Sequence, residues 1–283
     1  MQDFLLGHEA AVRLAVFGGM LGALGTWEIV APWRRSQHSR LARWWTNLGL
    51  SALGTLLVRL FLPVAAMGVA AWCEAAGFGL FNHFDVSLAL SLPLSLLALD
   101  LLIYTQHSFF HHVPLLWRLH RVHHADPEID VTTGVRFHPV EIFVSMALKM
   151  ATVAALGAPP LAVLLFEIVL NAMAMFNHTN ASLPVRAERL LRRIIVTPDM
   201  HRIHHSVRRD EHDANFGFNL SVWDRLFRTY LDRPRDGFRE MRIGLDEYGG
   251  TEPLKLVWSL ALPFLNNARP TRGAPTIRQE KAP

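Results

Sequence analysis

The chain alternates long apolar runs with short polar segments. A bilayer core is crossed by about 20 mostly apolar helical residues. Five runs fall within or above the usual range of lengths: 11–31, 46–76, 86–106, 140–157 and 160–177. The second of these contains Arg59. The pattern predicts an all-α, integral-membrane helical bundle with about five spanning or hairpin helices.

The fourth and fifth runs are separated only by the turn Gly157-Ala158-Pro159-Pro160. Two adjacent prolines cannot lie inside a helix, so these runs are predicted to form a tight helical hairpin. Lys149 and Glu167 lie about nine residues on either side of the turn. We expect an ion pair across the hairpin, because an isolated charge inside a membrane is costly. A role for these two residues in substrate binding is the alternative.

Arginine is distributed unevenly among the loops, and this bears on orientation. The loop 77–85 has no Lys or Arg, whereas the loops after the first and third runs and the segment after the hairpin are rich in arginine. Because cytoplasmic loops carry an excess of Lys and Arg, the N-terminus is expected outside and the histidine-rich segments on the cytoplasmic side. The abundance of Ala, Leu, Arg and Gly favours a bacterial inner membrane.

Composition narrows the class of protein further. Hydrophobic residues make up 51% of the chain and charged residues only 18%, which is low for a soluble domain. The net charge of +4 is modest and no nucleic-acid-binding motif is present, so nucleic acid is not expected as a partner. The lone Cys73 lies in an apolar run and is expected to be a buried thiol without a disulfide or metal role.

Histidine supplies the candidate chemistry. Fifteen histidines are present, and most follow directly on apolar runs. Asp100, Tyr104, His107 and His111 are spaced by 4, 3 and 4 residues, so they share one face of a helix. We predict that the two histidines bind metal and that Asp100 and Tyr104 orient their rings by hydrogen bonds. Two H-x-x-H-H segments repeat the pattern, with His120, His123 and His124 in one and His201, His204 and His205 in the other.

These eight histidines exceed the four or fewer protein ligands of a single zinc site, so two ions are predicted. Imidazole suits both iron and zinc, but only iron has the redox states needed to activate oxygen. His178 is a further candidate ligand, and His138 is expected either to bind metal or to cap the helix that follows it. His112 faces another side of its helix, and His212 is expected at the surface.

The motifs resemble those of the fatty acid hydroxylase / sterol desaturase superfamily of integral-membrane di-iron enzymes. The resemblance covers residues 86–245. It is carried by Asp100-x-x-x-Tyr104-x-x-His107-x-x-x-His111, Leu116-Trp117-Arg118-x-His120-x-x-His123-His124, Arg136-Phe137-His138-Pro139-x-Glu141, Asn177-His178-x-Asn180, Thr197-Pro198-x-x-His201-x-x-His204-His205, Asn215-Phe216-Gly217 and Trp223-Asp224-Arg225-Leu226-Phe227. The chain departs from the family at Ala174, where some relatives have histidine, and at Arg228, where glycine is usual.

This resemblance implies two non-haem iron ions, held by the eight histidines and by His178, with Asn180 among the residues that support the ligands. It also implies O2-dependent hydroxylation of an unactivated C–H bond in a lipid or sterol drawn from the bilayer. No haem, flavin or nicotinamide motif occurs in the chain, so electrons are expected from a separate electron-transfer protein. The activity expected is therefore that of a lipid-biosynthetic monooxygenase.

The predicted organisation has three parts. Residues 1–85 are expected to form N-terminal transmembrane anchor helices, 86–245 the catalytic domain, and 246–283 an interfacial segment around 254–265 followed by a disordered tail. Three other functions are compatible with the pattern: a lipid or sterol desaturase or an ether-lipid monooxygenase on the same site, a histidine-rich membrane protein that binds or transports metal, and a zinc-dependent membrane hydrolase.

Overall fold

Long apolar helices form the body of the protein. The structure is a computed structural model that describes residues 2–265. The first nine α-helices are α1 (Gln2–Gly7), α2 (Glu9–Val30), α3 (Arg40–Phe61), α4 (Ala65–Ala76), α5 (Leu80–His83), α6 (Leu88–His112), α7 (Pro114–His124), α8 (Pro139–Leu156) and α9 (Pro160–His178). Five segments are long and apolar enough to cross a membrane: Glu9–Val30, Arg40–His83, Leu88–His112, Pro139–Leu156 and Pro160–His178. The predicted all-α fold with five spanning or hairpin helices is thereby confirmed.

The second apolar run is not the single helix that its hydropathy predicted. It is divided into α3, which ends at Phe61, and α4, which begins at Ala65. Pro63 lies between them, and a proline in a helix interior removes a backbone hydrogen bond and clashes with the preceding turn. The segment Arg40–His83, which contains α3, α4 and α5, is nevertheless one of the five that are long and apolar enough to cross a membrane.

The predicted hairpin is confirmed. α8 ends at Leu156 and is capped by Gly157, whose φ of +65° is left-handed and favours glycine. α9 begins at Pro160 with Pro159 as its N-cap. The turn packs closely on the loop after α4, because a Cβ placed on Gly79 would lie 2.3 Å from the backbone nitrogen of Gly157. Across the hairpin, Lys149 Nζ donates to Glu167 Oε1 at 2.7 Å, so the predicted ion pair is also confirmed.

Short helices and loops cover the end of the bundle where α6 and α9 finish, and residues 179–264 are called the cap here. Its helices are α10 (Val185–Leu191), α11 (Pro198–His204), α12 (Arg209–His212), α13 (Val222–Leu226), α14 (Gly237–Glu240) and α15 (Leu256–Ala261). Leu262, which directly follows the last of these, packs with Leu50 of α3 and Val122 of α7. The expected tail 267–283 lies outside the described residues.

Candidate metal centre

All nine histidines predicted as ligands meet at the junction of the bundle and the cap. They form two neighbouring groups, within each of which one ring nitrogen per residue lies within 4.8 Å of the others. The first group contains His107, His111, His120, His124 and His204. The second group contains His123, His178, His201 and His205. The two are adjacent, because the His124 and His205 rings stack at 4.6 Å.

Four segments of the chain deliver these side chains. His107 and His111 lie one turn apart at the end of α6, and the first H-x-x-H-H segment forms the last turns of α7. His178 is the last residue of α9. The second H-x-x-H-H segment lies on the short helix α11, whose first turn is capped by the Thr197 hydroxyl. Helical spacing of 3 and 4 then turns successive histidines towards the two neighbouring groups.

Several rings are oriented through Nδ1. Backbone oxygens accept from this atom in four of them: Phe216 O lies 2.8 Å from His107, Arg136 O lies 3.2 Å from His123, Ala174 O lies 2.6 Å from His178, and Ala214 O lies 2.8 Å from His204. An N–H at Nδ1 leaves the lone pair on Nε2, which is the tautomer that a metal ligand requires.

The Nε2 atoms approach each other as ligands of one ion do. His107 Nε2 lies 3.1 Å from His120 Nε2 in the first group. In the second group, His178 Nε2 lies 3.0–3.1 Å from the Nε2 atoms of His123, His201 and His205. Metal–nitrogen bonds of about 2.0–2.1 Å place neighbouring ligand nitrogens roughly 2.9–3.4 Å apart. The observed spacing therefore fits metal coordination.

Burial keeps these imidazoles neutral. Desolvation, together with a smaller contribution from the nearby His212, lowers the pKa of His120 to about 3. Desolvation and neighbouring histidines likewise hold the pKa values of the other candidates outside the spans well below the usual 6.5; these are His123, His124, His201, His204 and His205. Neutral imidazole is the form that binds a cation.

Some of the ring nitrogens have no protein partner. Among the described residues, buried nitrogens without a hydrogen bond include His111 Nε2, His204 Nε2 and both nitrogens of His124. Leaving a buried polar atom unpaired costs roughly 1–3 kcal/mol. A bound cation removes this cost, so the residues present fit a metal site.

Two carboxylates touch the first group from outside. Glu141 Oε1 lies 2.7 Å from His120 Nδ1, and Asp213 Oδ1 lies 3.3 Å from His111 Nδ1. The sequence motif contained Glu141, but its spacing from the histidines assigned it no role. The expectation that His212 is a surface residue was wrong: it is buried, and it forms a further cluster with His111 and Asp213.

The predicted hydrogen bonds from Asp100 and Tyr104 to the imidazoles were also wrong. Asp100 Oδ2 accepts from the indole of Trp223 at 2.8 Å, and the Tyr104 hydroxyl bonds to Thr229 at 2.9 Å. Both therefore fasten segment 216–229 of the cap to α6. Since Phe216 in that segment supplies the carbonyl that orients His107, their effect on the ring is indirect.

Asn180 likewise does not support a ring directly. Its side chain pairs with the backbone of Arg34, with Oδ1 accepting at 3.1 Å and Nδ2 donating at 2.8 Å. The contact joins the end of α9 to the loop after α2. His112 lies outside both groups, as expected; it is exposed, and its Nδ1 bonds to Ser108 O.

His138 takes the capping role of its two predicted alternatives. Its Nδ1 accepts from the backbone N–H of Val140 at the start of α8, and Nε2 lies 3.3 Å from Leu260 O. With both nitrogens engaged outside the two groups, His138 is not placed as a ligand.

Two cavities reach the first group from opposite sides. The inter-helix cavity, about 280 Å³, lies among α2, α3, α6, α8 and α9 and is lined by His107 and His120. The cap cavity, about 1140 Å³, is lined by His111 together with Trp117 and charged cap residues such as Arg209. Because the Arg209 side chain is 82% exposed, the cap cavity faces water.

Known proteins share the elements that build this site. The family model described as fatty acid hydroxylase matches residues 92–229. An ornithine lipid hydroxylase from Rhizobium tropici is 26% identical over 238 residues, covering 81% of this chain and 70% of that protein. An alkylglycerol monooxygenase from Danio rerio is 32% identical over 138 residues, covering 48% and 30% respectively. No solved structure matches the chain.

The stretch matched by the family model includes all nine histidines of the two groups. Over these residues the chain belongs to the fatty acid hydroxylase family. It spans 70% of the rhizobial relative but less than a third of the alkylglycerol monooxygenase. Its relatives are lipid hydroxylases and monooxygenases, which supports an oxidoreductase, and the buried histidine groups fit a metal site.

Proposed function

We propose that the protein is a membrane-bound di-iron oxygenase that hydroxylates an unactivated C–H bond of a lipid with O2 and externally supplied electrons. The observation that carries the proposal is the pair of adjacent histidine groups, nine neutral imidazoles in all, one group of which lines a cavity between the spanning helices. Two groups correspond to two ions, with His107, His111, His120, His124 and His204 holding one and His123, His178, His201 and His205 the other.

Each part of the chain has a task in this reaction. Iron, when bound, supplies the redox chemistry that activates O2. Backbone oxygens and Glu141 fix the rings so that Nε2 points inward. The inter-helix cavity presents a substrate carbon to His107 and His120, and the apolar walls around it, such as Phe110 and Phe137, exclude water from the reacting bond.

Lipid as the substrate is supported by the relatives, whose names specify an ornithine lipid hydroxylase and an alkylglycerol monooxygenase. The arginine-rich loops support a cytoplasmic position of the histidine groups by the positive-inside rule, and the composition rich in Ala, Leu, Arg and Gly supports a bacterial inner membrane. A separate electron-transfer protein would then approach from the cytoplasm. Desaturation and ether-lipid oxidation remain alternatives on the same site, and mass spectrometry of the product distinguishes them.

Two further classes predict different metal contents. A zinc hydrolase would hold one zinc, and a metal-binding or transport protein would hold metal loosely and variably. The enclosure of nine neutral imidazoles in two groups favours the di-iron assignment over both. Anaerobic purification followed by elemental analysis tests it, with two irons per chain expected.

A ligand variant sharpens the test. His123→Ala should lose iron and abolish O2-dependent hydroxylation, while His112→Ala, an exposed histidine outside both groups, should keep both. Membrane insertion of each variant is checked by fractionation. One zinc per chain, or full turnover in His123→Ala, would overturn the proposal.

A further inference from the structure

The inter-helix cavity is more polar than a passage for hydrocarbon requires. Along α8, Glu141, Ser145 and Lys149 line it at successive intervals of four residues, so they form one stripe about 12 Å long by helical rise. Glu141 bonds His120 at the end next to the first group. Lys149 marks the other end of the stripe, where the ion pair with Glu167 lies.

A second cation joins this far end. Arg13 Nη1 of α2 lies 2.5 Å from Glu167 Oε2, while Lys149 Nζ occupies the other carboxylate oxygen. Two cations thus share one buried carboxylate. Glu9 is the other acidic group near Arg13, but its oxygen lies 3.7 Å away and its side chain is 40% exposed, so it neutralises the pair only weakly.

These cations retain unused donors. An ammonium has three N–H groups and a guanidinium has five, and Glu167 accepts one hydrogen bond from Lys149 and contacts one nitrogen of Arg13. Midway along the stripe, Gln106 Nε2 donates to Ser145 at 2.9 Å. Charged groups inside a span are costly and commonly mark a substrate path.

We propose that Arg13 and Lys149, held in place by Glu167, bind an acceptor oxygen of the lipid substrate, either a carboxylate or an ester or amide carbonyl. The carbon presented to the first group then lies within roughly 12 Å of that oxygen. The inference rests on the proposed function. Such a site would favour lipids that are oxidised near a polar group over plain hydrocarbons. The cavity volume of about 280 Å³ suits a part of a lipid rather than a whole lipid molecule.

Ligand retention tests this without turnover. Full-length protein in detergent, loaded with iron under anaerobic conditions, is incubated separately with hexadecanoate, methyl hexadecanoate or hexadecane and analysed by native mass spectrometry. We expect retention of one or both oxygen-bearing probes at least about tenfold above hexadecane, a factor equivalent to about 1.4 kcal/mol. Retention of methyl hexadecanoate would identify a site for a carbonyl oxygen. Retention of hexadecanoate alone, with neither the ester nor the alkane retained, would identify a site for a carboxylate.

Variants of Lys149 distinguish a role in ligand binding from a role in helix packing alone. Lys149→Met should reduce probe retention about tenfold at unchanged iron content, and Lys149→Arg should restore it because the cation is kept. Arg59→Met, at an exposed position on α3, is the matched control and should behave as wild type. Retention of neither oxygen-bearing probe above hexadecane, or no effect of Lys149→Met, would overturn the inference. Because no step requires catalysis, these results stand apart from the fate of the oxygenase proposal.

Discussion

At His120, the ring nitrogen that faces away from the first group lies 2.7 Å from Glu141 Oε1, and both side chains are buried. A carboxylate in this position fixes the tautomer and the orientation of the ring and raises its basicity. Glu141 thus acts on the metal site without belonging to either histidine group.

Glu141→Ala should therefore weaken metal binding at the first group about 10–100-fold, the usual cost of losing such a partner. Iron retained per chain during dialysis against a weak chelator measures the effect. Glu141→Gln keeps an acceptor oxygen and should lose less, whereas Glu74→Ala, on an exposed face of α4, should lose nothing. Wild-type iron retention in the alanine variant would show that His120 is oriented by other contacts.

The sequence predicted the positions and contacts of some residues at the site but not of others. The nine candidate ligands were predictable because helical spacing of 3 and 4 places imidazoles on one side of each helix end. Asp100 shares that spacing with His107, yet its side chain turns to Trp223 instead. Trp117 stacks on His212 at 5.4 Å and helps to bury it. Trp223 and Trp117 are far along the chain from the residues they contact, so these contacts could not be predicted from the spacing of neighbouring residues.

Between elements, a buried ion network ties the start of α3 to the loop that joins α7 and α8. Arg43 binds both oxygens of Asp126, at 2.8 and 3.0 Å, and its Nη1 lies 2.6 Å from Asp130. Burial alone would raise the pKa of Asp126, but the charge and hydrogen bonds of Arg43, with smaller contributions from Arg136 and Thr133, together outweigh it and lower the pKa to about 2. The loop held in this way includes Arg136, whose carbonyl orients His123.

Arg43→Met should destabilise the protein by about 3–5 kcal/mol near neutral pH, because two buried carboxylates lose their counter-charge. The folded pKa of Asp126 is below its usual 3.8, so its contribution is present above about pH 4 and is lost as pH falls towards 2. The wild-type advantage should shrink over that interval. Thermal unfolding in detergent at several pH values measures it, with exposed Arg193→Met as control; a constant or absent difference would contradict the pair's role.

Helix boundaries could be predicted from the sequence where a proline restricts the backbone. The prolines at 159 and 160 predicted the hairpin correctly. Pro63 carried the same kind of signal, but hydropathy alone merged α3 and α4 into one run. The usual family glycine at position 228 has a physical basis as well, because Arg228 adopts a left-handed φ of +62° here.

At the scale of the whole molecule, the histidine groups join four separate segments, α6, α7, α9 and α11. The number of spans was predictable from hydropathy, since each run must bury its backbone polar groups in a helix. The division of nine histidines into five and four was not, because it depends on how those segments pack together.

Metal removal should consequently loosen the whole assembly. A ligand that binds only the folded state stabilises it by about 2.7 kcal/mol at a hundredfold excess over Kd, so stripping iron should lower Tm. Anaerobic Fe²⁺ should restore the lost stability and Mg²⁺ should not, because imidazole is a poor ligand for magnesium. Identical melting of stripped and reloaded protein would show that the histidines hold together without a cation.

Two cavities open onto the first group: His107 and His120 line the inter-helix cavity, and His111 lines the water-facing cap cavity. Apolar molecules can therefore reach the first group through the inter-helix cavity, and hydrophilic molecules can reach it through the cap cavity. An inhibitor shaped for the aqueous approach therefore needs no resemblance to a lipid.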